Sequence, residues 1–407
     1  MASVNNFKDN IELCLIPKLN KNFDDCENHI EFKSRNLKLD EHFQIVLKKI
    51  EEINLKDLGL ESEYILSHLL ILYYELLSNG PWNSEHCLKL SQMLNSYFEL
   101  LYGISLTNIF VYNEIFNYQA IFDKCVESLH SKLTSSDFKK YPGQIEVYNN
   151  IIKNLKLYDV AVVPSKVLPA SLLLINDYII DNKVKGLQCC ISVLQCLNGR
   201  DFQEGNYYDV IYNSLKKVIS EKDIEVTKLV FKCFKALYDV LPEDVKPTKV
   251  EDMYVNVLEQ LYVESNLYRK AECINFIRIL ITIQKIHCAS RSVFLAIIGD
   301  NLDLCCNETV ADVLLHNILQ TLKEWVKYCW CIWKLSAGQN ILSNLFKVLY
   351  TCKDNDLATE IQSMIIILIR LCNDEDRKNI TNELDLISCT MDNVFLNRIS
   401  TIKKYIL

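Results

Sequence analysis

Apolar residues recur at intervals of three and four along most of this chain, the spacing that places them on one face of an α-helix. From Glu61 the pattern is dense: EYILSHLLILYYELL, SEHCLKLSQMLNSYFELLYG and SLTNIFVYNEIFNYQAIFDKCVESLHSKL follow one another, each bounded by Gly, Pro, Asn or Ser. They predict three consecutive helices with short joints. KKYPGQIEVYNNIIKNL opens another helix at a Pro-Gly break, and VVPSKVLPASLLLINDYII follows with Ser165 as its expected cap and Pro169 in its first turns. Asp181 then interrupts the apolar pattern and NKVKGLQCCISVLQCL resumes it, so residues 167–194 read as a helical hairpin. Residues 1–60 form a less regular, partly helical segment, where Phe43, Val46, Leu47 and Ile50 fall at helical spacing within a charged stretch.

The hairpin recurs. Asp181, Asp223, Ser265 and Asn307 lie 42 residues apart, and each has a side chain able to accept from the free amides of a helix start. Three residues beyond them stand Val184, Val226, Tyr268 and Val310, and six beyond stand Leu187, Leu229, Ala271 and Val313. A fifth, shifted copy is expected to begin at Asp354 with Leu357. A two-helix unit of this length falls within the HEAT and armadillo range of roughly 40 to 47 residues. Leu168-Pro169 early in the first helix, Asp181 in the turn and Val184-Lys185 after it fit the HEAT pattern, while Thr227 and Ala311 depart from the basic residue it favours.

The expected fold is therefore all-α, an α-solenoid of HEAT/armadillo-like helical hairpins. It is expected to run continuously over residues 61–407 and to be clearest over 165–335, with the softest joint between Pro142 and Pro164. In such a stack the apolar face of each hairpin is covered only by its neighbours.

Composition narrows the function. The 407 residues include 9 Gly and 7 Pro, where an average chain of this length carries roughly 50 in all. Tight hairpins and phosphate loops draw on those residues. No P-loop, G-x-G-x-x-G, H-E-x-x-H, G-x-S-x-G or C-x-x-C occurs, and the histidines are dispersed. The chain is expected to be no enzyme and to take no cofactor and no small-molecule substrate. With a net charge of −8 and no Lys/Arg block, counterion release has little to act on, which argues against nucleic acid as a partner. The longest apolar runs, such as LLILYY, have six residues, and a bilayer needs about 20. The amino terminus has no secretory pattern, so no membrane partner is expected, and the expected location is cytoplasm, nucleus or both.

The 17 cysteines, among them Cys189, Cys190, Cys233, Cys331 and Cys372, read as small hydrophobes in a reducing compartment. Cys329 and Cys331, with Cys352 and Cys372 downstream, are the nearest approach to a metal signature, but residues two apart on a helix point about 200° apart. Cys26-x-x-His29 has helical spacing and no second pair to complete a site. No metal is expected. One cluster stands out: LKEWVKYCWCIWK holds Trp325, Trp330 and Trp333, with Trp330 and Trp333 expected on one helix face. It reads either as a bulky core helix or as a partner-docking surface, since tryptophans are enriched among interface anchors.

The run from 164 to 240 resembles the TELO-two-interacting protein two family, whose members carry a leucine-proline helix, an Asp-Tyr ending, and a second helix opening on lysine, glycine, leucine and cysteine. Here these are Leu168, Pro169, Asp177, Tyr178, Lys185, Gly186, Leu187 and Cys189, followed by Val210, Ile211, Tyr212 and Leu215 in the next helix. The resemblance covers about a fifth of the chain. It implies a non-catalytic scaffold subunit of the triple T co-chaperone complex, which works with the heat-shock-protein-ninety system to mature and stabilise phosphatidylinositol-3-kinase-related kinases. The implied partner is a large helical-repeat protein, the first TELO-two-interacting protein, and through it the TELO-two protein, kinases and chaperones. A HEAT-repeat transport or nuclear-import adaptor, holding cargo on a concave surface, is the alternative.

Overall fold

The computed structural model describes residues 2–23, 29–197, 202, 206–387 and 393–406. Every regular element among them is helical. The chain divides into two compact units, residues 1–219 with 232–240, and residues 220–231 with 241–407. The Pro142 to Pro164 region, expected as the soft joint, lies inside the first unit.

The first unit contains α1 (Ala2–Cys14), α2 (Ile30–Glu52), α3 (Leu60–Leu77), α4 (Glu85–Tyr102), α5 (Tyr118–Leu133), α6 (Pro142–Ile152), α7 (Pro164–Ile175), α8 (Ile180–Cys196) and α9 (Tyr207–Val218). Alternate helices pack side by side, α1 on α3, α3 on α5, α5 on α7 and α7 on α9, while α3 pairs with α4 and α7 with α8 as hairpins. Helix α3 is buried on nearly every side, with Ile65, Leu66, Leu69, Leu70 and Leu72 fully covered, as an apolar helix in the middle of a stack must be. Helix α4 ends on Gly103, whose left-handed φ of 73° lets its amide reach Glu99 O at 2.8 Å. The third predicted segment is α-helical only from Tyr118. Its first half has one 3-10 turn, Leu106–Asn108, and Asn117 caps the α-helix by accepting from Ala120 N.

Helices α1 and α2 are tied to α3 through a buried polar junction. Arg35 of α2 donates from Nε to Cys14 O at 2.9 Å, and Glu75 of α3 accepts from Ile16 N at 2.7 Å and Gln144 Nε2 at 3.1 Å. Gly143 seals the junction: a Cβ there would stand 2.6 Å from Glu75 Oε2.

Helix α10 (Ile224–Val240) contributes to both units. The second unit continues with α11 (Lys246–Val263), α12 (Leu267–Gln284), α13 (Val293–Leu304), α14 (Glu308–Cys329), α15 (Leu335–Thr351), α16 (Asn355–Arg370), α17 (Asp374–Ile387) and α18 (Asn393–Ile406). Here the two-layer stack is plain. First helices pack in one row, α11 on α13 on α15, second helices in another, α12 on α14 on α16, and each hairpin ties the rows together. Phe231 of α10 stacks on Phe276 of α12 at 4.3 Å between ring centroids. The fold is an all-α solenoid of stacked hairpins, as the periodicity predicts.

The caps place the repeat more accurately than the sequence does. Asp223 accepts from Val226 N at 2.9 Å, Asn307 from Thr309 N at 3.0 Å, and Asp354 from Asp356 N and Leu357 N, as expected of all three. Ser265 is not a cap: its neighbour Asn266 accepts from Tyr268 N and Arg269 N. Asp181 is not a cap either, because α8 begins at Ile180 and places Asp181 inside its first turn, where it pairs with Lys185. There it still complements the positive end of the helix dipole. Ser165 likewise falls inside a helix that begins at Pro164.

The second helices therefore follow Ile179, Asp223, Asn266, Asn307 and Asp354, at intervals of 41 to 47 residues. Counted from these residues, Cys190, Phe234, Ile277, Ile318 and Ile365 occupy one column, and all are fully buried.

Candidate functional site

The turn between α7 and α8 carries the residues that set the family resemblance, and it is built from a buried carboxylate outward. Asp177 is 5% exposed. Its Oδ1 accepts from Tyr178 N at 2.7 Å and faces Lys139 Nζ at 2.5 Å, and its Oδ2 accepts from Asn182 Nδ2 at 2.7 Å. A buried charge with this many partners is satisfied and fixes the turn. The same Lys139 ammonium lies 3.7 Å from the centroid of the Tyr178 ring, a cation–π contact. Tyr178 itself is 72% exposed.

Gly186 explains how α7 and α8 come so close: a Cβ there would lie 2.7 Å from both Ile175 N and Ser171 O, which are backbone atoms. Leu187 and Cys189 are fully buried beside it. Lys185 bridges Glu146 of α6 and Asp181. Burial by itself would lower the Lys185 pKa, but the two carboxylates outweigh it and hold the ammonium above its ordinary range. Lys139, Tyr178, Asp181 and Lys185 line a cavity of about 160 Å³ together with Trp82 and Pro142. Lys139 and Trp82 join the site from distant segments, with no local signal that could have placed them there. The arrangement is a charged recess with the Tyr178 ring exposed beside it.

The tryptophan cluster separates. Helix α14 ends at Cys329, and Trp330–Ile332 form a 3-10 turn, so Trp330 and Trp333 do not share a helix face. Trp325 is 2% exposed and stacks on Phe294 of α13, and Trp333 is 4% exposed and folds over Gly338. Trp330 alone faces solvent, at 58%. The cluster is thus two core residues and one surface residue, with Ile332 also exposed beside it.

Of the candidate metal pair, Cys26 lies outside the described residues and His29 is buried. Among the described residues no group of three or more His, Cys, Asp or Glu side chains is placed to hold a metal ion. Cys189, Cys190, Cys233 and Cys372 are buried, whereas Cys331, expected in the core, is exposed because the helix stops before it. No single described helix is long and apolar enough to cross a membrane.

No protein-family model matches the chain, and no curated protein matches it. Among solved structures it is similar to an engineered protein, at 13% identity and a TM-score of 0.42 over 99% of this chain and 94% of that one. It is also similar to Kap95p, from a structure with RanGDP, at 11% identity and a TM-score of 0.49 over 93% of this chain and 54% of that one. With Kap121p the identity is 11% and the TM-score 0.47, over 100% of this chain and 40% of that one.

Proposed function

We propose that this chain is a non-catalytic scaffold subunit of the triple T co-chaperone complex, supporting the maturation and stability of phosphatidylinositol-3-kinase-related kinases with the heat-shock-protein-ninety system. The reading starts from the resemblance over residues 164–240. One observation carries it furthest: Asp177, Gly186, Leu187 and Cys189 each have a packing reason for their identity, whereas Tyr178 is mostly exposed on the turn they fix. An exposed aromatic on a rigid turn, beside a recess, suits contact with a protein partner.

A stack of hairpins offers extended surface and holds partners through a few anchors. In this reading the partner at Tyr178 is the large helical-repeat subunit of the complex, and the chain works in the cytoplasm, the nucleus or both. Depleting the protein from its cells tests the role. Steady-state levels of several of these kinases should fall while their messages do not, and unchanged kinase levels would count against the proposal.

A further inference from the structure

Inside the second unit the fold brings two thiols together from 41 residues apart. The Sγ atoms of Cys288 and Cys329 lie 3.4 Å from each other, and neither residue is exposed. Cys288 belongs to the 3-10 turn that follows α12, and Cys329 is the last residue of α14. Lys285 opens that turn with a φ of 54°, a left-handed value that strains a residue carrying a long side chain. Its carbonyl accepts from Cys288 Sγ at 2.9 Å and lies 3.8 Å from Cys329 Sγ. The strained turn therefore holds both thiols against one oxygen.

Tyr254 of α11 adds a third group. Its hydroxyl is buried and has no hydrogen-bond partner among the described residues. Burial pushes the phenol pKa up and the charges of Cys288 and Cys329 push it the same way, so the ring stands within their field. An orphaned donor beside two thiols is placed to stabilise a thiolate formed between them. Burial also raises both thiols, while the hydrogen bond they share raises Cys288 further and pulls Cys329 back, which makes Cys329 the better nucleophile of the two. Neither meets solvent, but Cys331 does. It stands two residues on, in the 3-10 turn at the end of α14, close enough for its charge to act on Cys329. A helix end is backbone that moves at little cost.

We infer that Cys288 and Cys329 are a peroxide-responsive dithiol, oxidised to a disulfide through the exposed Cys331. The Cys331 sulfur attacks hydrogen peroxide, an S–O bond replaces the O–O bond, and the thiol proton leaves with the released hydroxide as water. Cys329 sulfur then attacks Cys331 sulfur, and the sulfenic hydroxyl leaves as a second water with the Cys329 proton. Cys288 sulfur attacks Cys329 sulfur and its proton passes to the departing Cys331 thiolate. Two thiols and one peroxide thus give one disulfide and two waters. The crosslink ties the turn after α12 to the end of α14. The inference goes beyond the subunit role proposed above and does not depend on it.

The test treats the full, reduced chain with hydrogen peroxide, blocks the remaining thiols, and maps the peptides by mass spectrometry over time. Cys288 and Cys329 should appear linked, and the oxidised chain should melt at a higher temperature than the reduced one until dithiothreitol returns it. Cys331→Ser alters an exposed side chain and should slow the link at least about tenfold, because the buried thiols have no direct access to peroxide. Cys306→Ser, at a half-buried thiol elsewhere in the unit, should leave the rate unchanged. Cys331 oxidised with Cys288 and Cys329 still free, a link forming as fast in Cys331→Ser as in wild type, or an equal slowing in Cys306→Ser would overturn the inference.

Discussion

Arg35 Nη2 lies 4.0 Å from Glu75 Oε1, and both side chains are sealed from solvent. Removing one partner of such a pair leaves an uncompensated buried charge, which costs about 3–5 kcal/mol. Arg35→Leu is therefore expected to destabilise the first unit by that amount, and Arg35→Leu/Glu75→Leu by clearly less. Denaturant unfolding of the two variants measures the difference.

The same pair predicts a pH dependence. Burial pushes the Glu75 carboxyl above its ordinary value of 4.5, and Arg35 pulls it back without cancelling the effect. A raised carboxyl binds its proton more tightly in the folded state. Its contribution to stability is fully present below about 4.5 and is lost as pH rises through the folded value. Without Arg35 that folded value climbs further. The destabilisation by Arg35→Leu should therefore shrink on going from pH 8 to pH 5, and a loss that is constant across that range would contradict the assignment.

Two helical glycines should respond in opposite directions. Gly186→Ala drives a Cβ against the backbone of α7 and should cost about 1–3 kcal/mol through overpacking. At Gly299 the nearest neighbour of an added Cβ is 3.5 Å away, an ordinary contact, so Gly299→Ala should stabilise by about 0.5–1 kcal/mol through helix propensity. Thermal melts of both variants suffice.

The cap assignments divide neighbouring positions. Asp223→Ala and Asn266→Ala should each cost about 1 kcal/mol. Ser265→Ala should stay within about 0.5 kcal/mol, as a surface change that removes no cap. Equal losses at 265 and 266 would contradict the observed helix start.

Much of this architecture is legible in the sequence, and the departures have physical causes. Helical periodicity and scarce Gly and Pro suffice for an all-α stack of hairpins. The register does not follow from a fixed period of 42, because the interval between helix starts varies and each residue of slip turns a helix face by about 100°. Leu187 is consequently in the core, Leu229 is half-buried, and Ala271 and Val313 line a surface groove. Ser265 and Asn266 are equally plausible caps by residue type, and the loop geometry chooses between them.

Thr227, which departs from the expected basic residue, is buried and accepts from Arg269 Nε at 3.3 Å, so the next hairpin supplies the cation. The tryptophan helix is shorter than its pattern predicts, because apolar spacing continues past Cys329 although the helix does not. Of the candidate site, Asp177 and Tyr178 can be named from sequence. Lys139 and Trp82 cannot, since only the fold brings them there.

If this chain is a partner-binding subunit rather than a catalyst, with Tyr178 at the contact, affinity purification of the tagged chain from its own cells followed by mass spectrometry is the decisive experiment. The wild-type chain should recover the other two triple T subunits. Tyr178→Ala removes an exposed side chain and should leave the fold intact, yet recover markedly less of them. Recovery of import cargo or a small GTPase without those two subunits would contradict the proposed role.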